Sequence, residues 1–118
     1  MARIDATVTA SDDGGQVQFT IDKNPINVPR GQHQIVFSLE DQTSNGPAKF
    51  NTADPVYYAV GNNCPSSGKH CSQLDVISCT DTSLTVGDGN DASSTIGYRL
   101  NFYYGNQKKD LDPIIVNN

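Results

Sequence analysis

Hydrophobic and polar residues alternate with a period of two along most of this sequence, in runs separated by clusters of Gly, Asp, Asn, Ser and Pro. Because successive side chains of a β-strand point to opposite faces, such alternation predicts strands with one buried face. In the clearest run, from Ile96 to Tyr104, every second residue is apolar. The predicted strands are residues 4–10, 17–22, 34–40, 48–52, 56–60, 74–80, 83–86, 95–104 and 113–116.

Turn signals fall between these predicted strands. Asp12-Asp13-Gly14-Gly15 predicts a tight hairpin between the first two strands, because glycine readily adopts positive φ. Pro25 and Pro29 bracket residues 26–28, which we expect to be extended or at a sheet edge, since proline cannot donate to a central ladder. Helical spacing of apolar residues is absent, so we expect at most one helical turn, within residues 64–73.

Composition agrees with a β fold. The 118 residues include 9 Val, 8 Ile and 9 Thr, whose branched side chains suit a pleated sheet, and the length fits one domain, residues 1–118. About seven to nine short strands predict an all-β, antiparallel β-sandwich of immunoglobulin-like architecture, with a cupredoxin-like sandwich as the alternative. The expected core consists of Val17, Phe19, Ile21, Ile35, Phe37, Leu39, Val76, Leu84, Val86, Ile96, Tyr98, Leu100, Phe102, Ile114 and Val116.

Charge excludes one class of partner. The formal net charge is −5, and the only adjacent basic pair, Lys108-Lys109, is followed by Asp110 and Asp112. Nucleic-acid binding requires clustered basic residues, so we expect no nucleic-acid partner. The N-terminal residues lack an apolar signal core, and no run approaches the length of a membrane span, so we expect a soluble, cytoplasmic protein.

Three cysteines, Cys64, Cys71 and Cys79, lie close together in the sequence. An odd number cannot pair completely within one chain. Cys64 and Cys71 flank a turn-rich segment and are the candidate disulfide, although cytosolic thiols are usually reduced. Cys79 lies in an apolar-leaning run and is interpreted as a small core residue.

A metal site is one candidate for chemistry in this segment. Cys64, His70, Cys71 and Cys79, with His33 as a further ligand, are residue types that bind zinc or copper. Their spacing matches neither a zinc knuckle nor a blue-copper loop, so an ordinary loop histidine beside a cysteine is the favoured interpretation and no cofactor is expected.

Catalysis is a weaker candidate. Cys71 or Cys79 as a nucleophile would need His33 or His70 as a base, and sequence proximity does not provide that geometry. The sequence contains no nucleophile elbow, phosphate loop or metalloprotease helix. We therefore expect no enzymatic activity.

Acidic turns are a third candidate, for calcium. Asp88-Gly89-Asn90-Asp91 with Asp81, or Asp110 with Asp112, supply the oxygen ligands that calcium prefers. The EF-hand spacing is absent, and Asp and Asn are common turn residues, so turn formation is the favoured interpretation.

Adjacent tyrosine pairs suggest a recognition surface. In a strand, one member of each pair Tyr57-Tyr58 and Tyr103-Tyr104 faces away from its neighbour. Such surfaces stack sugar rings or hold peptides, although tyrosines also occur at the rim of small sandwiches. The candidate surface consists of Tyr58, Arg99, Asn101 and Tyr103.

Two Asp-Pro segments carry a resemblance to a known family. The stretch from Asp54-Pro55 to Tyr58 and the C-terminal stretch from Asp112-Pro113 to Asn117 resemble the DP-EP family of small bacterial proteins, and the second is also similar to bacterial inclusion-body proteins. The second dipeptide is Asp-Pro where the family has Glu-Pro. The resemblance implies a β-sandwich of unknown function and assigns no catalytic residue. Asp-Pro also occurs widely at strand starts, because proline favours an extended preceding residue.

These features favour a non-enzymatic bacterial interaction or structural protein. An open sandwich has unpaired edges, so self-association through an edge strand is the expected mode. The alternative is a ligand-binding module for a carbohydrate or a metal ion.

Overall fold

A computed structural model of the chain describes residues 2–44, 47–60, 74–90 and 93–117, with the backbone alone for residues 58–60. Every helix or strand in these ranges is a β-strand, which confirms the all-β prediction. The helical turn expected within residues 64–73 lies outside the described residues. The strands are β1 (Ala2–Asp13), β2 (Gln16–Ile21), β3 (Ile26–Val28), β4 (His33–Asp41), β5 (Ala48–Phe50), β6 (Val56–Val60), β7 (Leu74–Cys79), β8 (Ser83–Asp88), β9 (Ser94–Tyr104), β10 (Gln107–Leu111) and β11 (Ile114–Asn117).

The strands form two packed sheets. Sheet A has five strands in the order β2-β1-β4-β8-β7. Sheet B has six, in which β10, β9, β11 and β3 follow one another and β5 and β6 also pair with β9. The hairpin predicted between the first two strands is present, because Asp13 lies opposite Gln16 and the intervening Gly14 and Gly15 both have positive φ.

The expectation of a purely antiparallel sandwich is wrong, since both sheets contain a parallel pair. β1 runs parallel to β4 in sheet A, and β11 runs parallel to β3 in sheet B. The reason is the path of the chain: after β2 it crosses to sheet B to form β3, then returns to sheet A as β4 beside β1. The alternation of side chains is the same in parallel and antiparallel strands, so strand direction was not visible in the pattern.

The described residues form eleven strands, more than the seven to nine expected. One addition is β3, the segment between two prolines, which does lie at the outer end of sheet B. The other is β10, whose sequence QKKDL shows no apolar alternation. It becomes a strand because it continues the hairpin from β9, with Gln107 opposite Tyr104.

The core fills the space between the sheets. Phe19 of β2 stacks on Phe102 of β9 with ring centroids 4.3 Å apart, and Phe102 also stacks on Phe50 of β5. The expected core residues that are buried are Phe19, Ile35, Phe37, Leu39, Leu84, Val86, Ile96, Tyr98, Leu100 and Phe102.

The expected burial of the last strand is wrong. Ile115 is buried, whereas Ile114 and Val116, which were expected in the core, are only half-buried. All three residues are apolar, so alternation alone does not identify the inward one. Pairing does, because Ile115 lies opposite the buried Ile96. The expected core residues that are partly buried at its margin are Val17, Ile21 and Val76.

Candidate functional site

The pairing of strand β9 with its neighbours is interrupted by an Asp-Pro dipeptide on each side. On one side it pairs with β10 and then β11, which are separated by Asp112-Pro113. On the other side it pairs with β5 and β6, which are separated by residues 51–55, including Asp54-Pro55. Since proline has no backbone N–H to donate, each dipeptide interrupts the ladder beside the middle of β9.

Two side chains of β9 hold these interruptions in place. Arg99 Nε lies 2.9 Å from Asp112 Oδ1 and 3.8 Å from Asp110 Oδ2. Asn101 Nδ2 donates to the carbonyl oxygen of Asp54 at 2.9 Å, and its backbone N–H donates to the carbonyl oxygen of Pro55 at 2.9 Å. Arg99 and Asn101 were predicted as recognition residues, and the structure gives both of them these anchoring contacts.

The outward side of β9 brings together aromatic, basic and acidic residues. Asp110 lies opposite Asn101, and Lys49 and Lys108 lie on either side of Tyr103. Residues directly opposite each other in a ladder share a face, so these side chains form one surface. We call it the β9 face; its members are Lys49, Tyr57, Arg99, Asn101, Tyr103, Lys108 and Asp110.

The pairing register identifies the tyrosine beside Arg99. Tyr57 lies opposite Arg99, whereas the backbone of Tyr58 lies opposite Tyr98, whose side chain is in the core. The predicted surface named Tyr58, whose side chain lies outside the described residues. Tyr57 is therefore the tyrosine that the register places on the β9 face. Sequence reasoning had no signal for this choice, because it depends on how β6 is aligned with β9.

A pocket of about 190 Å³ opens on this face. Its lining residues are Asn51, Asp54, Tyr57, Asn101, Phe102, Lys108, Lys109 and Asp110. Asn51 is 9 % exposed, and its Oδ1 accepts hydrogen bonds from the backbone N–H groups of Ala53 and Asp54, both at 3.2 Å. Asn51 thus shapes the loop that carries the first Asp-Pro dipeptide.

Two amide groups in this pocket have unused hydrogen-bonding capacity. Within the described part of the chain, Nδ2 of Asn51 and Oδ1 of Asn101 make no hydrogen bond, while the other polar atom of each side chain does. The pocket therefore offers one fixed donor and one fixed acceptor, each held in orientation by the bonds of its own side chain.

The cysteine and histidine candidates are placed only in part. Cys64, His70 and Cys71 lie outside the described residues, as does the predicted disulfide between the two cysteines. Cys79 is a half-buried free thiol on β7. Burial raises the pKa of this thiol, and the nearby Asp81 carboxylate raises it further, so less thiolate is present at neutral pH.

His33 and Cys79 lie at opposite ends of strand β8. His33 pairs with Asp88 and Cys79 pairs with Leu84, which separates them by about 13 Å along the strand. Nδ1 of His33 lies 2.9 Å from the carbonyl oxygen of Gly31. The two residues do not form the nucleophile and base pair considered from the sequence. Among the residues that the structure describes, no three His, Cys, Asp or Glu side chains gather as metal ligands.

Of the acidic turn residues proposed for calcium, Asp88, Asp110 and Asp112 use their carboxylates within the protein, and Asp91 lies outside the described residues. Asp81 and Asp88 lie at opposite ends of β8, so they do not converge on one cation. Asp110 and Asp112 both face the guanidinium of Arg99. Asp88 is buried, and its Oδ1 accepts hydrogen bonds from the backbone of Asn90 and the side chain of Asn117, both at 3.0 Å.

The outer strands differ in how their edges are protected against pairing with another chain. Proteins protect edges with charge, proline, bulges or short strands. β3 and β5 have three residues each and adjoin prolines, and β7 carries a bulge between Val76 and Ser78. β10 carries Lys108, Lys109 and Asp110.

Strand β2 is different. It is six residues long, it pairs with β1 without a register shift, and it contains neither charge nor proline. Among the outer strands whose side chains are all described, it alone lacks these protective features. β6 is not included in this comparison of outer strands, because its last three side chains lie outside the described residues.

No protein-family model matches this sequence, and no curated protein matches it. In the described ranges, no helix has the length and hydrophobicity needed to cross a membrane.

Proposed function

We propose that this chain is a non-enzymatic interaction protein that associates with a second copy of itself through strand β2. The observation that carries the proposal is the unprotected edge of β2, in a fold whose other fully described outer strands are short, bulged or charged. Unprotected edges of this kind pair with other strands. The separation of His33 from Cys79 supports the non-enzymatic part of the proposal.

The hairpin with β1 determines which backbone groups of β2 are available. Asp13 and Gln16 close a two-residue turn, so they form a hydrogen-bonded pair, and such pairs alternate along the ladder. The N–H and C=O groups of Gln16, Gln18 and Thr20 therefore point towards β1. Those of Val17, Phe19 and Ile21 point away from the sheet, towards a prospective partner.

The side chains at this edge also favour a partner. Val17 and Ile21 are apolar but only half-buried, on either side of the buried Phe19. Across the sandwich, β10 lies next to β2, and its Leu111 is half-buried as well. A partner strand would cover part of this apolar surface, and burial of apolar surface drives association.

A second copy fits this edge by two-fold symmetry. If β2 pairs antiparallel with its own copy about Phe19, Val17 lies opposite Ile21 of the second copy, and the outward groups form about six hydrogen bonds. The two five-stranded sheets then become one continuous sheet. A symmetric contact of this type closes as a dimer.

The test is the mass of the protein in solution as its concentration rises. We expect light scattering after size exclusion, and sedimentation equilibrium, to show a rise from 12.7 kDa towards twice that mass. Val17→Pro removes an outward N–H that makes no bond to β1, so the fold tolerates it while dimerisation is lost. Val17→Ala removes the same side chain but keeps the N–H, and is expected to dimerise.

Val17→Lys is a second variant that is expected to prevent dimerisation. Its charge would protect the edge of β2 against pairing, as the charged residue Lys109 protects that of β10. Far-ultraviolet circular dichroism checks that each variant keeps the β fold. A mass of 12.7 kDa for the wild type at every concentration, or dimerisation of Val17→Pro equal to that of the wild type, would overturn the proposal.

We also propose a cytoplasmic location and kinship with the DP-EP family. Both Asp-Pro dipeptides border the same strand, β9, which is consistent with a shared structural role for these segments.

A further inference from the structure

We propose that the pocket on the β9 face binds a neutral, polyhydroxylated ring, which is the chemistry of a monosaccharide. This site is separate from the β2 edge and does not depend on self-association. Four observations support it: the fixed amide groups, the balance of charge, the aromatic wall and the size of the pocket.

The amide groups provide paired recognition of hydroxyls. A sugar hydroxyl both donates and accepts, so neighbouring hydroxyls on a ring can bind Nδ2 of Asn51 and Oδ1 of Asn101 at the same time. Asn51 is 9 % exposed and is held by the backbone N–H groups of Ala53 and Asp54. Asn101 is held by the carbonyl oxygen of Asp54. Side chains fixed in this way lose little entropy when a ligand binds.

The charges in the lining favour a neutral ligand. Lys108 and Lys109 line the pocket together with Asp54 and Asp110, so their formal charges cancel. On the β9 face itself Lys108 and Asp110 contribute one charge of each sign, so the lining favours neither an anion nor a cation. Hydroxyl groups can accept from Lys108 and donate to Asp110.

The aromatic wall and the size limit the ligand further. Tyr57 is among the lining residues, and an aromatic side chain is suited to contact the C–H side of a sugar ring. The volume of about 190 Å³ is below the range of roughly 300–1,000 Å³ typical of pockets for drug-sized ligands, so one ring is the expected occupant.

Two larger pockets among the described residues lack this combination. One, of about 490 Å³, includes Arg3 and Lys23 in its lining, but Arg3 pairs with Asp5 at 2.7 Å and Lys23 donates to the carbonyl oxygen of Asp5. The other, of about 370 Å³, lies beside Cys79 and is lined largely by apolar residues and Pro55. Neither contains a pair of side-chain amides like Asn51 and Asn101.

The test is titration of the ¹⁵N-labelled protein with d-glucose, d-galactose and N-acetyl-d-glucosamine, followed by two-dimensional NMR. We expect saturable shifts of the side-chain amides of Asn51 and Asn101 with at least one of these sugars. Lys108→Ala is expected to weaken binding about fivefold, as for loss of one hydrogen bond. Lys49→Ala is the matched control, because Lys49 also lies opposite Tyr103 but does not line the pocket.

Absence of saturable shifts with all three sugars would overturn the site, as would equal weakening by Lys49→Ala and Lys108→Ala. Tighter binding of d-glucuronate than of d-glucose would overturn the neutral-ligand assignment in favour of an anion. Repeating the titration on the Val17→Pro variant separates this result from the self-association proposal.

Discussion

The side-chain amide of Asn90 donates a hydrogen bond of 3.0 Å to the carbonyl oxygen of Val28, and a second one of 2.6 Å to that of Pro29. Asn90 is fully buried and lies 62 residues from Val28 in the sequence. It thereby joins the end of β3 in sheet B to the turn that follows β8 in sheet A. Its φ of 41° is one that asparagine adopts more readily than most residues.

This relationship predicts that Asn90 is important for stability. Asn90→Gly keeps the positive φ but leaves two carbonyl oxygens without their donor, so we expect the free energy of unfolding in urea to fall by about 2 kcal/mol. Asn90→Ala adds the strain of a left-handed alanine and is expected to lose about 1 kcal/mol more. Equal stability of the wild type and Asn90→Gly would show that these bonds do not stabilise the fold.

A second prediction concerns the stacked rings of Phe19 and Phe102. They join β2 to β9 across the core with an interplanar angle of 15°. Phe19→Ala is expected to lower the free energy of unfolding by about 3 kcal/mol or more, because it leaves a cavity between the sheets, and Phe19→Leu by about 1 kcal/mol. Urea unfolding at low protein concentration measures this without a contribution from association. A decrease in the free energy of unfolding of less than about 1 kcal/mol for Phe19→Ala would contradict this prediction, because it would mean that neighbouring side chains fill the cavity.

Much of this core could be predicted from alternation alone. Phe37 and Phe102 belong to runs in which every second residue is apolar, and both are buried. The parallel pairing of β1 with β4 could not be predicted, because it follows from the excursion of the chain through β3. The inward residue of the last strand was missed for a related reason: in an unbroken apolar run, only the partner strand determines which side chain is buried.

The candidate site could be predicted less completely than the core. Alternation along β9 placed Arg99, Asn101 and Tyr103 on one face, as observed. The neighbours that turn this face into a pocket were missed, because they depend on register. Lys108 lies in a strand without apolar alternation, and Asn51 lies in an irregular loop where no periodic signal exists.

The ion pair of Arg99 with Asp112 leads to a third prediction. Both side chains are partly exposed, so Asp112→Ala is expected to lower the free energy of unfolding by only about 0.5–1 kcal/mol. The backbone N–H of Tyr98 donates to the carbonyl oxygen of Pro113. Loss of the Arg99–Asp112 ion pair loosens the Asp112-Pro113 dipeptide, so the amide hydrogen of Tyr98 should exchange faster in Asp112→Ala. Asp110→Ala is the control, since its carboxylate lies 3.8 Å from Arg99 Nε instead of 2.9 Å. An equal effect of the two variants on Tyr98 exchange would contradict the anchoring role.

A fourth prediction concerns the reactivity of Cys79. Burial and the carboxylate of Asp81 raise the pKa of this thiol, and only the thiolate reacts with iodoacetamide. We expect Cys79 to be alkylated severalfold more slowly in the folded protein than in urea, with the rate followed for its own peptide by mass spectrometry. Asp81→Asn should increase the alkylation rate of Cys79 in the folded protein. Because Cys79 stays half-buried, this rate should remain below the rate measured in urea. Equal rates in the two states would contradict this prediction.

The last prediction is a pH dependence of stability that arises from Asp41. The hydroxyl of Thr43 donates to the Asp41 carboxylate, as do the backbone N–H groups of Ala48 and Thr43, and together these bonds lower the pKa of Asp41 although burial opposes them. Because the folded pKa lies below the unfolded one, the stabilising contribution is complete at neutral pH. It is lost as the pH falls below about 4, through the folded pKa.

Two variants test this contribution. Asp41→Asn is expected to unfold at a lower urea concentration than the wild type at pH 7, with the difference narrowing as the pH falls through the folded pKa of Asp41. Thr43→Val removes the hydroxyl donor that lowers the pKa most, so it should show a smaller effect of the same sign. If the difference between Asp41→Asn and the wild type is as large at acidic pH as at neutral pH, the charge of Asp41 is not the stabilising element, and the loop after β4 is held by other contacts.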